Sequence, residues 1–192
     1  MQSVGTKTLD TPRLLLRRFT LNDIEPFFRN MASDATALRF LNWSPHKNTY
    51  VTMNCIERYI SDYESPDSYV WCIELKESAE AIGAILVSRL DKTRESARVG
   101  YYIGSKFFGN GYMTEALREV IRFLFDTVGL LYIECEYDLN NPASGRVMEK
   151  CGMSYVRTRR KSAVNNSGLC DTAVYGIYYS DYESMRDKKG EN

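Results

Sequence analysis

The stretch Lys106–Val120, KFFGNGYMTEALREV, sets Gly109 and Gly111 one residue apart directly before an amphipathic run. A glycine inside a helix costs about 1 kcal/mol relative to alanine, so two of them at a helix mouth need a reason. Met113, Ala116, Leu117, Val120, Ile121, Leu124 and Val128 fall on one stripe, which predicts a helix from about 110 to 128. A strand ending near Ile103 feeds its loop. Backbone N–H groups in such a loop and in the first helical turn have no internal partners, and the helix dipole favours an anion there. Gly109 and Gly111 let the backbone approach a phosphate closely and take dihedrals that a Cβ forbids; an ordinary turn is the competing explanation. The pattern is not a nucleotide-binding P-loop, since no G-K-[ST] follows, and it lacks the third glycine of a dinucleotide fingerprint.

Upstream, RLLLRRF (13–19) reads as a first strand. Thr20 then caps a helix, with Asp23 at the capping-box position, and a second helix fits 49–63. RFLNWSPHKN (39–48) is a loop between them. From 69 the period becomes two, and YVWCIEL, AIGAILVSRL and ARVGYYIG form a predicted three-stranded meander. Downstream, LLYIECEYD (130–138) is a fifth strand. NNPASGRVMEKCG follows as a short helix with Asn141 at its cap, Pro142 at its first position and Gly152 past its end. Strands near 153–160 and 170–179 flank the turn-rich NNSG (165–168), and the polar tail MRDKKGEN (185–192) is expected to fray. Strand, helix, strand and helix alternate around the glycines, so the class is α/β (α+β), in one domain spanning 1–192 with a core of about 12–179.

Lys+Arg 25 against Asp+Glu 25 gives no net charge, and with it no electrostatic case for nucleic acid or an anionic membrane as a partner. Five cysteines (55, 72, 135, 151, 170) without a C-x-x-C pair, beside the single His46, argue against a disulfide framework, a zinc site and a histidine triad. No metal is expected. The N-terminal stretch has no long apolar core and no 18 apolar residues run together, so the expectation is a cytoplasmic protein, a monomer or homodimer.

KFFGNGYMTEAL resembles the pyrophosphate-binding motif of the GNAT N-acetyltransferases, [QR]-x-x-G-x-[GA], with Lys106 in the Gln/Arg place. Its G-x-G-Y-x-T-E-A flavour, RVGYYIG before it and NPASGRVMEKCGM after it are similar to the branch that acetylates the N-termini of ribosomal proteins (RimJ/RimL-like). The order of elements from about 12 to 179 also agrees, so the resemblance covers nearly the whole chain. It implies a mixed, mostly antiparallel sheet of six to seven strands, with parallel fourth and fifth strands splayed apart and about four flanking helices. It also implies acetyl-CoA lying in the splay. The backbone around Tyr102, Ile103 and Gly104 would then pair with pantetheine, and Gly109, Asn110, Gly111, Tyr112, Met113 and Thr114 would hold the pyrophosphate. Asn141 would fix the pantetheine or the splay. Lys150 would meet a phosphate, or stay a solvated helix charge.

The resemblance implies direct attack of a neutral amine on the thioester in a ternary complex, with no covalent enzyme intermediate. The tyrosine that many members use as general acid is Met148 here. Ser144 is the hydroxyl that faces the sulfur in the ribosomal-protein branch; a helix-start serine satisfying its own backbone is the bland alternative. The glutamate that some members place on the fourth strand is Arg98, which leaves Glu74, Glu134 and Glu136 as candidate bases or as salt-bridged carboxylates. An α-amine with a pKa near 8 is about one unit from neutrality at pH 7, about 1.4 kcal/mol, whereas a lysine amine near 10.4 needs nearly 5 kcal/mol. A chain without a strong base therefore suits an α-amine of a protein or peptide. A polyamine, amino acid or antibiotic acceptor, and a non-catalytic acyl-CoA sensor, are the alternatives. Aromatic residues near 40–43 wall an acceptor pocket, or else fill core.

Overall fold

The computed structural model of the chain describes residues 1–190, with side chains through Asp187. Eight strands form one sheet: β1 Leu9–Asp10, β2 Leu14–Arg17, β3 Val70–Leu75, β4 Glu80–Asp91, β5 Ser96–Ile103, β6 Tyr132–Asp138, β7 Ser154–Asn165 and β8 Gly168–Tyr178. Their spatial order is β1-β2-β3-β4-β5-β6-β8-β7. Every neighbouring pair is antiparallel except β5 with β6. The strand beyond the expected six to seven is the two-residue β1, too short to leave a periodic signal.

The helices are α1 Ile24–Phe27, α2 Ala35–Leu38, α3 Thr49–Asp62, α4 Tyr112–Phe123, α5 Pro142–Lys150 and α6 Tyr179–Gly190. The single helix expected after Thr20 is broken into three pieces. A 3-10 turn precedes α1, and a wide turn over Phe28–Ala32 follows it, in which the Ser33 N–H reaches back five residues to Phe28 O at 3.1 Å. Pro26 inside α1 has no N–H to continue the ladder. The expected capping box is present: the Asp23 carboxylate accepts from Thr20 N at 2.7 Å.

The tail is a correction. Residues 179–190 are helical, because Tyr179 meets the Phe125 ring edge-on, Tyr182 lies tilted against it and Met185 packs on the core; Glu191 and Asn192 lie outside the described residues. Among the described residues no helix is long and apolar enough to cross a membrane.

The two sheet faces bury separate cores. On one, Ala97 and Val99 of β5 and Ile133 and Cys135 of β6 meet Leu117, Val120, Ile121 and Leu124. On the other, Phe27, Met31, Leu38 and Ile56 cover Val70, Cys72, Ala81 and Ala84. Each fully buried large aliphatic contributes about 1.5–3 kcal/mol. The parallel pairing of β5 and β6 runs from Ser96↔Tyr132 to Val99↔Cys135 and stops. Beyond it β5 stays on β4 as far as Ile103↔Gly83, and β6 stays on β8 as far as Asp138↔Thr172. The two strands separate, and a slot opens through the sheet.

Candidate active site

The slot is framed by the segment that the sequence singles out. After β5, a short 3-10 turn (Ser105–Phe107) leads to Gly109 and Gly111, at φ +78° and +77°. The first α4 bond is Glu115 N–H to Gly111 O at 3.0 Å, and no side chain caps the helix. Among the described residues the N–H groups of Gly109 through Thr114 have no protein partner. Six successive amides with left-handed glycines among them make an anion cradle.

Charge at the cradle is managed locally. Glu115 in the first turn of α4 accepts from Thr11 Oγ1 at 2.7 Å and from Arg13 Nε at 2.7 Å. Burial alone would raise the Glu115 pKa, but these donors outweigh it and hold it below the ordinary value. Arg13 also donates to Asn110 O at 2.9 Å and lies 4.6 Å over the Tyr112 ring, so it pins the loop while neutralising the carboxylate.

From the cradle a cleft of about 310 Å³ runs into the slot. Tyr102, Ile103, Gly109, Gly111, Tyr112, Met113, Thr114, Asn141, Ser144 and Lys150 line it. Two residues expected there do not. Asn110 turns its amide back onto Phe107 O and Phe108 O, both at 3.2 Å. Gly104 packs behind the wall, where a Cβ would stand 1.8 Å from Asn30 O.

Tyr101, absent from the sequence-based set, is brought in. Its hydroxyl lies 2.9 Å from Ser144 Oγ and donates to Ser144 O at 3.0 Å. Strand alternation could have found it: Tyr101 faces α4 and α5, whereas Tyr102 faces the opposite side, its hydroxyl 2.8 Å from that of Tyr59. Burial pushes both phenols well above their ordinary pKa. Arg146 at the mouth was also missed, because an exposed helix arginine carries no pattern. Met148, at the place of the missing tyrosine, is buried in the core.

The three candidate carboxylate bases stand outside the lining. Glu74 is bound by Arg17 Nε at 2.6 Å, and the same guanidinium holds Asp23 at 2.7 Å. Glu134 pairs with Arg98 at 2.5 Å and with Arg157 at 3.6 Å; Glu136 pairs with Arg159 at 3.1 Å. The expectation that Glu74 reaches the cleft is corrected by this arginine, 57 residues away in sequence. Among the described residues no lining residue is a carboxylate. All five cysteines are unpaired, and burial pushes Cys72, Cys135 and Cys151 up, away from thiolate chemistry.

Residues 13–154 match the family model described as an acetyltransferase (GNAT) domain. The uncharacterized N-acetyltransferase YoaA of Bacillus subtilis is 28% identical over 169 residues, covering 88% of this chain and 95% of that one. The microcin C7 self-immunity acetyltransferase MccE, solved with acetyl-CoA and AMP, superposes with a TM-score of 0.80 at 18% identity, over 88% of this chain and 93% of that one. The ribosomal-protein-S5-alanine acetyltransferase of Vibrio fischeri gives 0.80 at 16% identity, over 92% and 98%. At these identities the structures speak for the fold, and the family match, spanning most of the sheet together with the cradle, speaks for the lineage. This chain belongs to the GNAT family of acetyl-CoA-dependent N-acetyltransferases.

Proposed function

We propose that the acceptor is the α-amino group of a protein or peptide. The observation that carries this reading is the cleft without a carboxylate, each candidate base being tied to an arginine. Such a site has no side chain to take a proton from a cationic lysine or polyamine, whereas an α-amine needs only about 1.4 kcal/mol to become neutral at pH 7. The name of the Vibrio fischeri protein, for acetylation of an alanine of a ribosomal protein, agrees with the same acceptor class.

The six open amides of 109–114 hold the pyrophosphate, with Lys150 and Arg146 at the mouth, and the wall from Tyr101 to Ile103 flanks the pantetheine. The neutral amine attacks the thioester carbonyl carbon, and backbone N–H groups at the end of β5 receive the negative oxygen. When the C–S bond breaks, the electron pair goes to sulfur; the proton shed by the attacking nitrogen passes to water, and the thiolate takes one up through Ser144 Oγ–H, which is reprotonated from water. Tyr101 stays protonated, and when its single proton turns from Ser144 O to Ser144 Oγ, 2.9 Å away, the serine proton is left free to point into the cleft.

Two results follow. Ser144→Ala lowers kcat about ten- to a hundredfold with little change in KM for acetyl-CoA, while Tyr101→Phe, one neutral hydrogen bond worth about 0.5–1.5 kcal/mol, lowers kcat about two- to tenfold; unchanged turnover in both rejects the pair. The log of kcat/KM for the acceptor rises with unit slope, bends at the amine's own pKa of about 8, and levels off about one pH unit above it. Because burial raises the Tyr101 pKa above the ordinary tyrosine value, ionisation of this phenol does not cut the plateau short. A limb that stays fixed when the acceptor's pKa is changed would reveal an enzyme base. The acceptor class itself is tested by CoA release and product mass spectrometry over peptides, polyamines, amino acids and aminoglycosides. Fastest turnover of a polyamine or a lysine side chain at pH 7 refutes the reading.

A further inference from the structure

The NNSG turn that joins β7 to β8 is a clasp. Asn166 Nδ2 donates to Leu38 O at 2.9 Å and to Trp43 O at 2.8 Å, and its backbone N–H donates to Leu41 O at 3.1 Å. On the other side, Asn165 Nδ2 donates to Asp138 Oδ2 at 2.7 Å, and Ser167 Oγ donates to Asn165 Oδ1 at 2.7 Å, which fixes that amide. Asp138 ends β6 where the slot opens, and Leu38 ends α2. The turn thus ties the far edge of the slot to the loop after α2, across the sheet face opposite α4 and α5. Otherwise the loop is held by the packing of Leu38, Leu41 and Trp43 on the second core and by the His46 N–H to Ala32 O bond at 2.8 Å, so Asn166 supplies its polar tie to the β7–β8 turn.

The clasped loop forms the acceptor end of the cleft, with Ala37, Phe40 and Leu41 facing Tyr102, and Trp43 set edge-on to Tyr102 at 5.6 Å. The wall is aromatic and aliphatic; among the described residues the charged ones in the lining are Arg146 and Lys150, both on α5 and neither on the clasped loop. A cationic or anionic group beside the reacting amine would leave water there without a counter-charge. An apolar group would gain by burial.

We infer that the enzyme selects α-amines whose adjacent side chain is uncharged and apolar, and that Asn166 sets this selectivity by positioning the wall. The inference rests on the α-amine reading and narrows it. A peptide N-terminus and a free amino-acid amide share this chemistry, and both are included in the test.

The experiment measures kcat/KM for peptides identical except at the first residue (Phe, Leu, Met, Lys or Glu) and for the matching amino-acid amides. Apolar first residues are expected to exceed Lys and Glu at least about tenfold. Peptides turned over far better than amides place the source in polypeptide ends; equal rates place it in the small α-amine. Asn166→Ala should raise the KM for apolar-first acceptors about tenfold and shrink the discrimination, with KM for acetyl-CoA held within about twofold. Leu41→Glu should raise Lys-first over Phe-first turnover relative to wild type, which keeps the test decisive if Asn166→Ala proves unstable by thermal melting. Indifference to the first residue, or wild-type selectivity in both variants, overturns the inference while α-amine acetylation stands. Acetylation of lysine side chains with no α-amine product overturns the α-amine reading itself.

Discussion

Gly111→Val is expected to weaken acetyl-CoA binding about ten- to a hundredfold while lowering the melting temperature by only a few degrees. Gly111 sits at φ +77°, where a β-branched residue is strongly disfavoured. The strain is about 1–3 kcal/mol, and each 1.4 kcal/mol is a factor of about ten in affinity. An added Cβ would meet only the tip of Arg13, Nη2 at 3.5 Å, so the loop is free to relax without disturbing the core. That relaxation turns the amides of 109–114 away from one another, which is the loss that matters. Gly111→Asn, which tolerates a left-handed conformation, should retain more affinity than the valine variant. Calorimetry with CoA decides: two variants that bind like wild type would mean that the loop holds no anion.

Gly104→Ala should instead strike the fold, by about 3–5 kcal/mol, with a melting temperature lower by about ten degrees or more. The new methyl would lie 1.8 Å from Asn30 O and 2.9 Å from Asn30 C. Both are backbone atoms, so no side chain can swing aside. The end of β5 is pressed onto the wide turn Phe28–Ala32, and Asp34 Oδ2 accepts from Ser105 N at 2.7 Å one residue further on. Moving Gly104 therefore moves the start of the cofactor loop. Gly100→Ala, where nothing lies within 4 Å of the added Cβ, is the matched control and should melt near wild type. Equal melting of the two variants would show that the contact with Asn30 is relieved cheaply.

Much of this was legible in the sequence where information is local. The stripe from Met113 to Val128 predicts α4 and the turn that continues it, because one apolar face per 3.6 residues is a property of the segment alone. Asn141, Pro142 and Gly152 mark α5 for the same reason. What depends on distant partners was not legible. The sequence shows Glu74, Glu134 and Glu136 at alternating positions in strands, but not that Arg17, Arg98, Arg157 and Arg159 lie across the sheet from them. The tail looks polar because three spaced residues, Tyr179, Tyr182 and Met185, suffice once Phe125 waits beneath them. Tyr101 and Tyr102 are neighbours of one type, and only the helix packed on one face tells which hydroxyl meets Ser144.

The sheet's two rims differ in how they resist growth. β1 has two residues, too few to template another strand. β7 has twelve, and among the residues it presents are Arg157, Arg159, Arg160 and Lys161. Two molecules that tried to join along this rim would bring like charges together, a repulsion that salt weakens. Arg157 and Arg159 are engaged by Glu134 and Glu136, so it is chiefly Arg160 and Lys161 that guard the molecule against zipping into a continuous ribbon with its copies.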